Sequence, residues 1–551
     1  VEVNEMSLGM KINEAKKLEY RQKGYWGDAT LADYWKMSVL SSPNKTAVVD
    51  AQGSQFTYAE LDEAAGKLAN FLKMIGVEPG DFVSSQLPGW SEFTIIYVAC
   101  LKAGAVLNPI LPNLREKELT YILNKCGSKV LFFPSEFRHY DYTSMLPSLA
   151  QNVKSLKKIV RVEKESKVYD ELTLNRILGE YPPLTENVKR SADDLATVLF
   201  TSGTEGYPKG VMLTHNNIIA SEKAYAANFN LTYQDVILMP APIAHATGFH
   251  HGVTTAFLLG AKCVLQDIFK PEISLELIER EKCTCGNGVT PFIYDLIQTI
   301  DRIQYDISSL RFFLCGGSPV PRHMVKQAME KGFKVIGVYG STESVPHTAA
   351  RLDDPLEKIM NTDGKPLHGV EIKIVDEFRQ SVPAGFEGEE ASRGPNVFVG
   401  YLREPELTDR VLDDDGWYYS GDLCTMEQDG FIRITGRKKD IIIRGGENIS
   451  STEVENILLQ HPDIREAAVV GMPDKRLGER TCAYVVLQHP NKRLTLEDVK
   501  AFFVEMHVAK YKFPERIEIC QSLPRTPSSK IKKYLLREDI KKKLERAVVH
   551  S

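Results

Sequence analysis

The stretch Thr197-Val-Leu-Phe-Thr-Ser-Gly-Thr-Glu-Gly-Tyr-Pro-Lys-Gly210 carries the reading of the whole chain. A short apolar, β-branched run feeds directly into a loop that holds three Ser/Thr hydroxyls, three glycines and one lysine. Such a loop is rich in donors and free enough to fold around the oxygens of a polyphosphate. It is not a Walker A loop, because no glycine pair is spaced to precede Lys-Ser/Thr. Strands that run into ligand loops are what an α/β sheet offers at its carboxyl edge. Further apolar runs repeat the pattern at Val130-Leu-Phe-Phe133, Phe312-Phe-Leu-Cys315 and Val335-Ile-Gly-Val338. Between them lie helical patterns. Thr57-Tyr-Ala-Glu60 reads as a capping box that opens a helix with Leu61, Ala65, Leu68 and Leu72 on one face.

A chain of 551 residues, 43% apolar and 26% charged, has material for several globular units. Its 68 basic and 73 acidic residues leave a net charge of −5, which gives no footing for nucleic acid as a partner. The basic run from Lys530 to Arg546 is interleaved with Ile531, Leu535, Leu536, Ile540 and Leu544, and so reads as a terminal helix with one solvated face. Nine cysteines stand scattered among apolar residues. Cys283 and Cys285 have no second pair nearby, so reduced, buried thiols are expected rather than zinc or disulfides. No signal peptide is visible, and the apolar run Phe93–Leu101 is interrupted by Lys102 before it could span a membrane. A cytoplasmic protein is expected, with peripheral membrane contact and oligomeric state left open.

The texture changes at Gly436-Arg-Lys-Lys-Asp440. Beyond it, Ser450-Ser-Thr-Glu453 caps a short helix, and Ala467–Val470 and Cys482–Leu487 read as strands. The expected organisation is an α/β lobe over residues 1–438 and a small α+β lobe over residues 439–551.

Six stretches, in order, resemble the adenylate-forming superfamily of acyl-CoA synthetases, luciferases and peptide-synthetase adenylation domains. They are the loop Thr201–Gly210, Pro242-Ile-Ala-His-Ala-Thr-Gly248, Tyr339-Gly-Ser-Thr-Glu343, Tyr419-Ser-Gly-Asp422, Gly436–Asp440 and Pro524-Arg-Thr-Pro-Ser-Ser-Lys530. The resemblance implies a large multi-sheet N-terminal lobe and a mobile C-terminal lobe. It also implies chemistry with ATP, Mg²⁺ and a carboxylic acid. Thr201, Ser202, Gly203, Thr204, Gly206 and Lys209 would cradle phosphate. Tyr339 would stack on adenine against Gly316, Gly317 and Ser318, a contact worth about 1–3 kcal/mol. Gly340, Ser341 and Thr342 lead to Glu343, the expected Mg²⁺ ligand. Asp422 would accept bonds from the ribose hydroxyls and Arg437 would contact the ribose and phosphates, with Ile434, Lys439, Gly445 and Gly446 completing the nucleotide and coenzyme A contacts. Lys530 would bridge the carboxylate and the α-phosphate, lowering the barrier between two anions. His245 would gate an acyl pocket walled by Phe249, His250, Thr290, Pro291 and Val345.

Three positions depart from the family pattern. Ser529 stands where a glycine usually precedes the lysine, and at φ > 0 it would cost about 1–2 kcal/mol. Ser451 replaces a proline, and Glu205 brings a carboxylate into the phosphate loop. Within the superfamily, Pro240–Gly252 contains no acid to pair a substrate amine, which disfavours amino acids. The run from Asp415 to Lys439 resembles the fatty acyl-CoA synthetase signature, and the whole chain resembles medium-chain fatty acid–CoA ligases of enteric bacteria. The expected activity is therefore ligation of short- to medium-chain fatty acids to coenzyme A through an acyl adenylate. The alternatives are alicyclic or aromatic acids, or adenylation that feeds a carrier protein.

Overall fold

The computed structural model describes residues 8–164, 172–201, 208–317, 320–444, 447–474, 476–490, 492–506, 508, 510–526 and 530–549. By contacts the chain divides into two units, Val1–Ile372 with Ser392–Tyr418, and Lys373–Ala391 with Tyr419–Ser551.

The first unit is built on two largely parallel sheets. In the larger sheet the strands Thr46–Asp50, Lys262–Leu265, Val236–Met239, Cys285–Gly288, Phe312–Gly316 and Lys334–Ser341 lie side by side, all parallel. Antiparallel strands close both of its edges. The second sheet orders Lys209–Thr214, Leu195–Thr201, Val106–Pro109, Phe82–Ser85, Val130–Pro134 and Lys158–Val162. Helix Tyr58–Met74 opens with the expected capping box, Thr57 and Glu60 exchanging bonds with each other's backbone. It packs on helix Ser91–Ala103, whose every residue is buried and which touches strands of both sheets. The interrupted apolar run is therefore a central core helix, apolar on all faces because it has sheet or helix on all of them. Its one base, Lys102, pairs with Asp62 at 2.7 Å.

The second unit carries a four-stranded sheet (Glu371–Val375, Gly388–Arg393, Tyr418–Met426, Ile432–Arg437) and a five-stranded sheet. In the latter, Ile464–Asp474 and Gly478–Leu487 form a long antiparallel pair, with Arg516–Ile519 parallel to the second strand. Alternate residues serve two cores. Ala467, Val469, Ala483 and Val485 face one apolar cluster, while Ala468, Val470, Cys482 and Tyr484 face another that contains Leu536 and Ile540. The terminal helix that supplies those two residues runs Lys533–Val549, three residues later than the basic pattern indicated, so Lys530 lies in the preceding loop. The boundary expected at Lys439 falls inside this second unit. It sits on the 3-10 turn Lys438–Asp440, which links the four-stranded to the five-stranded sheet.

All nine cysteines are unbridged and eight are buried. Among the described residues no helix is long and apolar enough to cross a membrane.

Ile540 is 0% exposed and fastens the terminal helix to its sheet. Ile540→Ala should cost about 2–5 kcal/mol, read as a lower denaturant midpoint. A loss below about 0.5 kcal/mol would mean the helix does not depend on that contact.

Candidate active site

Four neighbouring parallel strands deliver the site of the first unit. The segment with His245 follows Val236–Met239, Thr290 follows Cys285–Gly288, Gly317 follows Phe312–Gly316, and Tyr339 to Glu343 close Lys334–Ser341. Because the strands run the same way, all four loops leave from one edge of the sheet, where ligands bind in open α/β folds.

Gly316 is paired with Val338, so the expected adenine wall and the ring of Tyr339 sit on adjacent strands. A Cβ on Gly316 would lie 3.3 Å from the Val338 carbonyl oxygen, and Gly317 holds φ at +82°. Tyr339 is half-buried and meets His347 edge-on at 4.7 Å between centroids. His347 in turn shares a hydrogen bond with Ser344, Nδ1 to Oγ at 2.6 Å. The turn Ser341–Val345 is tight. A Cβ at Gly340 would lie 2.1 Å from the Val345 carbonyl oxygen, and Val345 itself adopts φ 52°. A β-branched residue in the left-handed region stores strain, which persists only where the surroundings impose it.

That turn presents Glu343, half-buried, with Oε1 accepting the Tyr401 hydroxyl at 2.7 Å. Burial first, then the Glu343 carboxylate, push the Tyr401 phenol well above its ordinary value. Among the described residues Glu343 makes no ion pair, and no cluster of three or more metal-ligating side chains occurs. One hard carboxylate oxygen, with phosphates and water for the rest, is a donor set that suits Mg²⁺.

The strands that flank the expected phosphate loop pair antiparallel. Thr201 pairs with Lys209 and Phe200 with Gly210, and the Lys209 ammonium lies 5.4 Å from the Tyr401 ring centroid. Ser202, Gly203, Thr204, Glu205 and Gly206 lie outside the described residues, as do Ser318, Gly445, Gly446 and Ser529.

His245 is half-buried, and its Nδ1 accepts the Thr247 backbone N–H at 3.3 Å. After it the chain winds as a π-helix over Thr247–Thr254, a form that recurs at functional sites. Phe249 packs edge-on against Phe93 at 5.8 Å and Tyr97 at 4.8 Å, with no exposure, so its ring belongs to the core. Thr290 reaches Cys315 Sγ at 3.4 Å, Pro291 is exposed, and Val345 is buried. His250 is fully buried, and neither ring nitrogen finds a partner among the described residues. Beside it, Glu222 Oε2 accepts from Thr255 at 2.6 Å and meets His251 Nδ1 at 3.0 Å. Burial pushes the Glu222 carboxyl up, but His251 and Thr255 more than offset this and hold it below its ordinary value.

In the second unit, Asp422 and Arg437 are cross-strand partners, and Arg437 Nε lies 2.9 Å from Asp422 Oδ1. Ile434 pairs with Cys424 on the same two strands. Lys439 is exposed, and its carbonyl accepts from Arg537 at 3.3 Å. Arg537 also binds Asp440 at 2.6 Å, while Lys533 lies 2.7 Å from Glu455 and donates to Ser451 at 2.9 Å. Ser451, which stands where the family usually has proline, thus accepts a bond from the terminal helix. Lys530 is exposed at the foot of a loop closed by the bridge Arg525–Ile531, its backbone N–H donating to Thr526 Oγ1 at 3.0 Å. Sequence reasoning missed Tyr401, Glu222 and Arg537. Each acts across more than 50 residues or sits inside a helix, and no local pattern marks it.

Two family matches cover most of the chain, the AMP-binding enzymes over residues 35–402 and the AMP-binding enzyme C-terminal domain over residues 453–530. A medium-chain fatty-acid–CoA ligase of Escherichia coli (strain K12) is 55% identical over 543 residues, 98% of this chain and 96% of its own. Among solved structures, the anthranilate CoA ligase AuaEII in complex with anthranoyl-AMP superposes with a TM-score of 0.86 at 26% identity, covering 94% of this chain and 98% of that one. ATP-bound MatB from Rhodopseudomonas palustris gives 0.84 at 28% identity, covering 93% and 99%.

Burial pushes the imidazoles of His215 and His250 down, to about 3 and about 4. The unfolded chain, with an ordinary histidine value of about 6.5, therefore binds these protons first. Stability should fall as pH drops from about 6.5 toward 4, by about 3 kcal/mol per imidazole. His250→Leu should flatten part of that slope in melting curves taken across the range. An unchanged slope in the variant would show that His250 titrates normally.

Proposed function

The chain belongs to the AMP-binding enzyme family across both of its lobes, and on that premise we propose that it is a medium-chain fatty acid–CoA ligase. It is an AMP-forming acid–thiol ligase that uses ATP, Mg²⁺ and coenzyme A. The observation that carries the acyl specificity is the 55% identity, over nearly the full length of both chains, to a ligase of that name. The absence of any acid in Pro240–Gly252 supports it, since a substrate amine would find no counter-charge there. The anthranilate ligase, at 26% identity, keeps aromatic acids as the second reading. Nine unbridged cysteines support a cytoplasmic location.

The reaction runs in two displacements. A substrate carboxylate oxygen attacks the α-phosphorus of ATP, the bond to pyrophosphate breaks, and an acyl adenylate remains. The coenzyme A thiol then attacks the acyl carbon, its proton is lost, and AMP leaves. Tyr339 and Gly316 would hold the adenine between adjacent strands, and Asp422 would fix the ribose, with Arg437 beside it. Thr201, Thr204 and Lys209 would line the triphosphate. Glu343 would hold Mg²⁺, which would supply charge neutralisation for the departing pyrophosphate. Lys530 would lie between the carboxylate and the α-phosphate, so that two anions meet around one cation. His245, Thr290 and Val345 would border the acyl chain, backed by Phe249.

The same carboxyl group must first meet the α-phosphate and then lie open to a bulky thiol. We assign the change of arrangement to rotation at Lys439, in the short turn between two sheets.

A panel of C2 to C16 acids with benzoate, cyclohexanecarboxylate and free amino acids, read by coenzyme A-dependent AMP release, should peak at medium chain length. Amino acids should trail by orders of magnitude in kcat/KM, and comparable turnover of any of them would overturn the assignment. Lys530→Ala should slow adenylation by about 10²–10³ while sparing thioester formation from supplied acyl-AMP. Lys439→Pro, which fixes φ near −65°, should do the opposite, keeping pyrophosphate exchange and losing thioester formation. Equal damage to both half-reactions in either variant would refute that residue's role.

A further inference from the structure

We propose that Tyr401 is a positioning residue for the metal site, holding the Glu343 carboxylate in the one orientation that leaves its second oxygen for Mg²⁺. This role rests on the reading of Glu343 as the metal ligand.

Tyr401 lies 58 residues from Glu343 in sequence, yet its hydroxyl donates to Oε1 at 2.7 Å. Among the described residues that is the only partner the phenol has, and the residue is only 3% exposed. A phenylalanine would fill the same space. Burying a hydroxyl instead is costly unless it is bonded, so the bond to Glu343 is what the hydroxyl contributes.

Everything around Tyr401 fixes it in place. Its backbone N–H donates to Thr408 Oγ1 at 2.9 Å, and Thr408 is itself buried in helix Pro405–Val411. Its ring packs edge-on against Phe398 at 5.0 Å. The segment around it is laced to the two parts of the site that must cooperate. Toward the phosphate hairpin, Met212 donates to the Gly400 carbonyl at 3.0 Å and Leu402 to the Gly210 carbonyl at 2.8 Å. Toward the metal turn, Phe398 donates to the Glu343 carbonyl at 2.7 Å, and Asn396 bonds the Ser344 carbonyl. The face of the Tyr401 ring lies 5.4 Å from the Lys209 ammonium. One phenol therefore registers the carboxylate against the phosphate loop.

A donor that occupies one carboxylate oxygen sets the rotation of the other, and such outer contacts tune metal affinity. Without the Tyr401 hydroxyl, Glu343 keeps its charge and loses its fixed direction.

The test is Mn²⁺ binding to the full-length enzyme with ATP and no acid, followed by electron paramagnetic resonance so that turnover plays no part. Tyr401→Phe should raise the Mn²⁺ midpoint by about 10-fold, and Glu343→Gln by at least as much. The double variant should bind no more weakly than Glu343→Gln alone. A wild-type midpoint in Tyr401→Phe, or a further loss in the double variant, overturns the proposal. A wild-type midpoint in Glu343→Gln instead removes Glu343 as the ligand, which is a separate failure. Phe398→Leu loosens the same packing but keeps the hydroxyl, so it should raise the midpoint far less than Tyr401→Phe. A comparable rise there would make the effect one of packing and would sink the idea.

Discussion

The two sheets of the larger unit share a core because one helix, Ser91–Ala103, buries all of its faces at once. Ile95, Ile96, Val98, Ala99 and Cys100 are all at or near zero exposure, so the helix offers no polar side to solvent. Its partner Tyr58–Met74 and strands of both sheets pack on it, which fixes how those strands lie. The ligand loops inherit that order. His245, Thr290, Gly317 and Tyr339 end up on one edge because the strands before them are parallel neighbours held on a common core. Ion pairs at 2.7 Å accommodate the two charges that the helix buries, Lys102 with Asp62 and Glu92 with Lys164.

The parts of the site that were legible in the sequence are those whose chemistry is local. A run of hydroxyls and glycines after a strand, an aromatic four residues before a carboxylate, and a Pro/Thr/Ser turn before a lysine each announce themselves within ten residues. The hairpin pairing of Thr201 with Lys209 and the adjacent strands of Gly316 and Tyr339 come from strand pairing, which no local pattern announces. Tyr401 was not legible, because a tyrosine after glycine has no distinguishing neighbours and its meaning comes entirely from the carboxylate it meets. The same holds for Glu222, which reads as one acid on a helix until His251 and Thr255 are seen around it. The boundary at Lys439 was drawn from a change in texture. By contacts the second unit begins earlier, because the four-stranded sheet before Lys439 groups with the five-stranded sheet after it.

Where sequence and structure part company at the end of the chain, the reason is packing. The basic pattern from Lys530 onward has helical spacing throughout, but burial starts only with Leu536 and Ile540. Lys533 is the first residue of the helix and already bonds Ser451 and Glu455. Residues before it close instead into the bridge between Arg525 and Ile531.

That anchoring gives Lys530 a short tether. Lys533 and Arg537 are clamped to Glu455, Asp440 and the Lys439 carbonyl, and Lys530 stands three residues before the first clamp. Three residues of fully extended chain reach about 10 Å. Lys530 is therefore held on a short arm that Arg537 ties to the turn at Lys439. Its own slack covers about 10 Å at most, and any longer excursion has to be made by turning the whole arm. In engineering terms the lysine is coupled to the turn Lys438–Asp440 through Arg537, so it does not wander from that turn independently.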